Sequence, residues 1–234
     1  GADVILYLMI PFENDVACTF LGLAAIHGHS NLINCLVKAG VDIDDPGTTN
    51  RSPLQLAVES NDVEFARKLI EEGADMEVTS NEAAAFTALH LAVSKGHSEC
   101  MKLLVEAKAN IEAITDLKET PLHSAAHHNQ LYAIEILLEA GCNKDARTHT
   151  GGTALHVAAM YNNKEAVELL IKKGFDPELK DTFGHTPMVN AEMRGHETLA
   201  NWLAKSRFGN LEDFNMDRLL NEGTVASSDQ TAIS

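Results

Sequence analysis

One pattern returns six times along this chain in nearly constant phase. It reads "TFLGLAAIHGH" from Thr19, "SPLQLAVESND" from Ser52, "TALHLAVSKGH" from Thr87, "TPLHSAAHHNQ" from Thr120, "TALHVAAMYNN" from Thr153 and "TPMVNAEMRGH" from Thr186. The intervals between first residues are 33, 35, 33, 33 and 33. Self-similarity at this period is the mark of stacked supersecondary units. The copies continue into a second apolar segment, such as "NLINCLVKAG", "ECMKLLVEAK" or "EAVELLIKKG", with aliphatics at i, i+3 and i+4. That spacing predicts a second helix, so each unit is a helix pair.

Elementary chemistry explains the recurring letters. Thr or Ser stands where a hydroxyl caps the first helix, and Pro follows in three of the six copies with its dihedral preset for N1. The next Leu and Ala residues point inward. Ala24, Ala57, Ala92, Ala125, Ala158 and Ala191 share one register, which suits close approach of helices between units. Gly40, Gly73, Gly141 and Gly174 are placed as left-handed C-caps. Two short helices cannot bury their apolar faces alone, so neighbouring units must stack into one continuous core.

The T-P-L-H-x-A pattern, the period of 33 and the "GADME" closure at Gly73 resemble the ankyrin repeat, from about Thr19 to Ala204. The resemblance implies helix–turn–helix units joined by protruding hairpin fingers and assembled into a curved, monomeric, all-α solenoid. Residues 1–18 then read as an N-terminal cap or the remnant of a preceding repeat, 19–204 as the repeat domain, and 205–234 as a short helix and tail. Gly1-Ala2-Asp3 matches the closing triplet of a preceding unit, which points to a chain cut from a longer protein; chance or an added Gly1 is the other reading. The third unit carries two extra residues before Thr87, in "TSNEAAAFT", and Lys108 where a closing Gly is usual, so its finger is expected to be irregular. The last unit has "VNAEM" and Trp202, as an atypical terminal repeat would.

Composition limits the function classes. At 45% hydrophobic residues the chain can bury a sizeable core, and its longest apolar run, "VILYLMIPF", is too short to cross a bilayer. The four cysteines have no CxxC spacing; Cys35, Cys100 and Cys142 lie in or just after second helices, as buried small hydrophobes do. This usage favours a reducing, intracellular and cytoplasmic setting. The net charge of −16 argues against nucleic acid and favours a basic protein partner. Acids such as Glu64, Glu99, Glu135 and Glu168 fall on second helices, where a solvated outer face accounts for them; a dock for a basic partner is the other reading. A further row, Asp44, Glu77, Glu112, Asp145 and Glu178, takes the register where the family commonly has Asn, at the finger stems.

The histidines divide by register. For His90, His123 and His156 the resemblance implies buried polar roles, bonding the backbone of neighbouring loops, and His29, His97 and His196 belong to turns between helices. His127 and His128, at the end of a first helix, have no such assignment. His123 and His127 are spaced i, i+4, but no Cys pair or carboxylate motif joins them, so no metal or cofactor is expected. The chain has no G-x-S-x-G elbow, P-loop or kinase signature, and no catalytic residue is assigned.

What remains is surface. The resemblance implies that finger tips and the exposed ends of first helices line a concave groove. Along that register Phe86, Leu117, His127, His128, Met160, Tyr161, Phe183, His185 and Met193 form an expected apolar and imidazole stripe across repeats three to six. Such a patch marks an interaction site, with binding sensitive to mild acid. Register alone does not separate a groove wall from side chains packed between adjacent fingers. "NLEDFNMDRLLNEG" (210–223) reads as an amphipathic helix that caps the last repeat, carries a short binding motif or folds back into the groove. The expectation is a non-catalytic protein-interaction module; the alternative is a regulatory or targeting segment of a larger enzyme, channel or toxin.

Overall fold

A computed structural model describes residues 19–80 and 84–206. The expected N-terminal cap, Cys18, the helix expected at 210–223 and the tail after it lie outside these residues. The described chain runs α1 (Phe20–Ile26), a 3-10 turn (Ser30–Leu32) leading into α2 (Ile33–Lys38), a 3-10 turn (Gly47–Thr49), α3 (Pro53–Glu59), α4 (Val63–Glu71), α5 (Ala88–Lys95) and α6 (Ser98–Glu106). It continues with α7 (Pro121–His127), α8 (Leu131–Glu139), α9 (Ala154–Met160), α10 (Lys164–Lys172), α11 (Pro187–Met193) and α12 (Glu197–Ser206). No strand occurs among the described residues, and the class is the all-α solenoid expected. Odd-numbered helices form an inner layer, each packed on the next odd helix and on its own even-numbered partner.

Each inner helix begins where the motif predicts. Thr19, Ser52, Thr87, Thr120, Thr153 and Thr186 are all extended N-caps. The shared alanine register is buried at 0–1% exposure throughout, so inner helices meet backbone to backbone. A single core runs from Leu21 to Leu203, and Phe65, Leu89, Leu122 and Ile134 are fully enclosed. Truncating one of these aliphatics to Ala costs about 2–5 kcal/mol.

The fourth motif position joins one repeat to the next. The Thr87 N–H donates to His90 Nδ1 (3.4 Å), which leaves the ring proton on Nε2 to donate to the Glu119 carbonyl (3.1 Å). His123 reaches the Gly152 carbonyl (3.3 Å) and His156 the His185 carbonyl (3.2 Å) in the same way. In repeat two Gln55 does this work: its Oε1 accepts from the Ser52 N–H (3.0 Å) and its Nε2 donates to the Phe86 carbonyl (2.9 Å). Burial pushes His90 and His123 down to about 4, and lowers His156 as well. The buried roles expected for these histidines are what the geometry shows.

The acidic row is a second set of ties. Asp44 accepts from the Asp75 N–H (3.0 Å), Glu77 from that of Asn110 (2.8 Å) and Glu112 from that of Asn143 (2.6 Å). Burial raises the Asp44 carboxyl above its usual range despite that bond. The turn glycines at 40, 73, 141 and 174 all have positive φ, and Lys108 takes the same left-handed conformation at φ 69°. One expectation fails: Cys35 is exposed, while Cys100 and Cys142 are buried. Short α2 buries Ile33 and Leu36, three residues apart, and Cys35 falls on the opposite side of that turn.

Candidate protein-binding groove

The groove is built by fingers that close on themselves and then lean on one another. Backbone bonds close Thr115 on Glu119, Thr148 on Gly152 and Asp181 on His185, at 2.9–3.0 Å. The third finger closes Ser80 on Phe86, a wider loop that accommodates the two extra residues. Successive tips are tied by Asp116 N–H to the Ala84 carbonyl (3.4 Å), His149 N–H to that of Leu117 (2.9 Å) and Thr182 N–H to that of Thr150 (3.0 Å). The closing carbonyls of Phe86, Glu119, Gly152 and His185 also receive the Gln55 or His bond from the preceding repeat. Every described finger from the third onward is therefore held from below and from the side.

Against this frame the ends of the inner helices differ along the chain. In repeats two and three Glu59 pairs with Arg51 and lies 3.5 Å from Lys95, and the Arg51 bond holds the Glu59 carboxyl below its ordinary value. In repeats four and five the same positions carry rings. His127 stacks on His128 with centroids 4.5 Å apart, and on Tyr161 of the next repeat at 3.8 Å. Partial burial lowers both imidazoles, and His128 adds to the effect at His127.

Between the fifth and sixth repeats lies a cavity of about 290 Å³ lined by Thr150, Met160, Asp181, Phe183, His185, Asn190, Met193 and Arg194. Phe183 is 68% exposed, Met193 67% and Tyr161 47%, so large apolar groups face solvent together at this end of the groove. Asp181 Oδ1 accepts from the N–H groups of Phe183 and His185, both at 2.9 Å, which turns its charge into the finger.

The structure thus brings together His127, His128 and Tyr161 as a stack, and Met160, Phe183, His185 and Met193 around the cavity. Leu117 is an exposed finger tip whose carbonyl also lies 3.3 Å from His149 Nδ1. Phe86 is the departure: it is half-buried, packed against the core and 5.8 Å from the His90 ring, so it belongs to inter-repeat packing and not to the exposed stripe. The reason is the widened third finger, whose closing residue is Phe86 itself. Asn190 belongs to the "VNAEM" departure of the last repeat, and Arg194 follows Met193 in the groove register. Asn190 takes the position held by Leu23, Leu56, Leu91, Ser124 and Val157 in the other repeats.

The repeated helix pairs, cross-repeat imidazole ties and finger ladder define an ankyrin-repeat solenoid, and this chain belongs to the ankyrin-repeat family: the family model for ankyrin repeats (3 copies) matches residues 1–80, 76–148 and 141–215. It is 35% identical over 106 residues to the ankyrin repeat and SOCS box protein 3 of Bos taurus, covering 45% of this chain and 20% of that protein. It is 31% identical over 104 residues to the ankyrin repeat and KH domain-containing protein mask of Drosophila melanogaster, covering 44% and 3%. To the transient receptor potential cation channel subfamily A member 1 homolog of Caenorhabditis elegans it is 28% identical over 110 residues, covering 47% and 9%. The match spans a fifth or less of the length of each of these relatives. Ankyrin repeats are protein-interaction modules. Among the described residues no helix is long and apolar enough to cross a membrane.

Proposed function

We propose that this chain is a non-catalytic, monomeric binding module of the cytoplasm that engages a partner protein through the groove face of repeats four to six. The observation that carries this reading is the exposure of Phe183 and Met193 around one cavity, with exposed Tyr161 following Met160 of its lining, on a backbone already fixed by finger-to-finger bonds. A preformed surface binds with little ordering cost, and aromatic anchors dominate interface energies. The net charge of −16 favours a partner that is basic overall. Affinity capture with the wild-type chain, compared with a Tyr161→Ala, Phe183→Ala variant, tests it. Loss of one specific partner with an unchanged circular dichroism spectrum supports the groove; identical partners reject it.

The size of the relatives supports a second reading, in which the module targets or regulates a larger enzyme, channel or toxin of which it is one part. Sequencing the complete transcript distinguishes the two, because a catalytic or pore-forming region joined to these repeats favours the second.

A further inference from the structure

Asn190 breaks the pattern of its register. The equivalent position is Leu23, Leu56, Leu91, Ser124 and Val157 in the other repeats, largely aliphatic and buried or half-buried. Asn190 is only 7% exposed, yet its side-chain amide makes no hydrogen bond among the described residues. It lines the 290 Å³ cavity instead. The amide atoms are not enclosed and unpaired as Trp202 Nε1 is, so they open on the cavity, where a polar group is hydrated less fully than in bulk water. A carboxamide offers N–H donors and a carbonyl acceptor, the complement of a peptide group.

The rest of the lining supports that occupant. Met160, Met193 and Phe183 make adaptable apolar walls suited to a flexible aliphatic or thioether side chain. At the rim Arg194 forms no ion pair among the described residues, and its guanidinium donates only to Met160 Sδ, at 3.6 Å. Sulfur is a weak acceptor, so this guanidinium is available to a carboxylate. Asp181 is already committed to the finger backbone and does not compete.

We propose that this cavity is the anchor subsite of the groove: it takes an extended partner segment whose Leu or Met side chain lies between Met160, Phe183 and Met193. The peptide group of that residue pairs with the Asn190 carboxamide, and an adjacent Asp or Glu pairs with Arg194. The inference rests on the groove being the binding face. The bulk charge attracts a partner that is basic overall, and Arg194 selects the one acidic position within it.

The test is selection of a displayed random heptapeptide library on the wild-type chain, followed by titration of the enriched synthetic peptides against Asn190→Leu, Arg194→Glu and Tyr161→Ala, Phe183→Ala variants. The expected peptides carry Leu or Met next to Asp or Glu. Asn190→Leu should weaken them about tenfold while raising the thermal midpoint, because it restores the aliphatic register. Arg194→Glu, at an exposed site, should turn the acidic preference into a basic one. Peptides that keep full affinity for Asn190→Leu but lose it with the Tyr161, Phe183 variant overturn the subsite and leave the groove standing. Peptides indifferent to both, or no enrichment, overturn both. A lowered midpoint for Asn190→Leu makes the amide structural and also overturns the subsite.

Discussion

His90 donates from Nε2 to the carbonyl of Glu119, 29 residues on, and so closes the base of the fourth finger from within the third repeat. The bond requires a neutral ring, because Nδ1 must accept from the Thr87 N–H. Burial lowers His90 and His123 to about 4 in the fold, against about 6.5 in an unfolded chain. Between those values the unfolded state binds more protons, so stability rises with pH there and is fully present above about 6.5. As pH falls from 6.5 toward 4, each of these imidazoles removes up to about 1.4 kcal/mol per pH unit. Urea midpoints measured across that window should fall, and a His90→Gln, His123→Gln variant, copying Gln55, should flatten the fall.

The His127 and His128 rings should titrate below the ordinary imidazole value. Removing the neighbour in His128→Ala both exposes His127 and deletes a like charge, the two causes that lower it. The His127 midpoint, followed by NMR, is expected to move up; a downward move contradicts the stacked geometry.

Glu112 holds the Asn143 N–H from an exposed position. Because the freed amide is rehydrated, Glu112→Ala should cost only about 0.5–1.5 kcal/mol. Hydrogen exchange should quicken at Asn143 without quickening at Leu137.

Gly151 combines φ +76° with a Cβ position 2.7 Å from Thr182 Cγ2 and 2.9 Å from the Thr182 nitrogen. Gly151→Ala therefore strains the fifth finger and pushes on the bond from Thr182 to Thr150. A loss of about 1–3 kcal/mol is expected, with chemical-shift changes concentrated at Thr182 and Phe183.

Trp202 is 1% exposed and its Nε1 has no hydrogen-bond partner among the described residues. Trp202→Phe loses area but deletes the unpaired donor, and should stay within about 1 kcal/mol of wild type. Trp202→Ala, with nothing to offset the cavity, should cost about 3–5 kcal/mol.

Much of this molecule was legible from the letters alone. Threonine caps, the buried alanine register, the turn glycines and the cross-repeat role of His90, His123 and His156 all follow from chemistry that each unit repeats, because local caps and a shared seam impose the same demands six times over. The groove was legible only as a register. Phe86 and Phe183 both come from fingers, yet the first packs inward beside His90 and the second stands 68% exposed beside an open cavity. Phe86 closes its finger one residue before the Thr87 cap, whereas Phe183 lies inside the loop that Asp181 and His185 close, and what surrounds each ring is set by the packing. The sequence likewise shows Asn190 only as an odd letter among aliphatics. Its unmet amide exists because α11, the sixth finger and Met160 of the previous repeat converge on it, and three-dimensional packing alone decides that convergence.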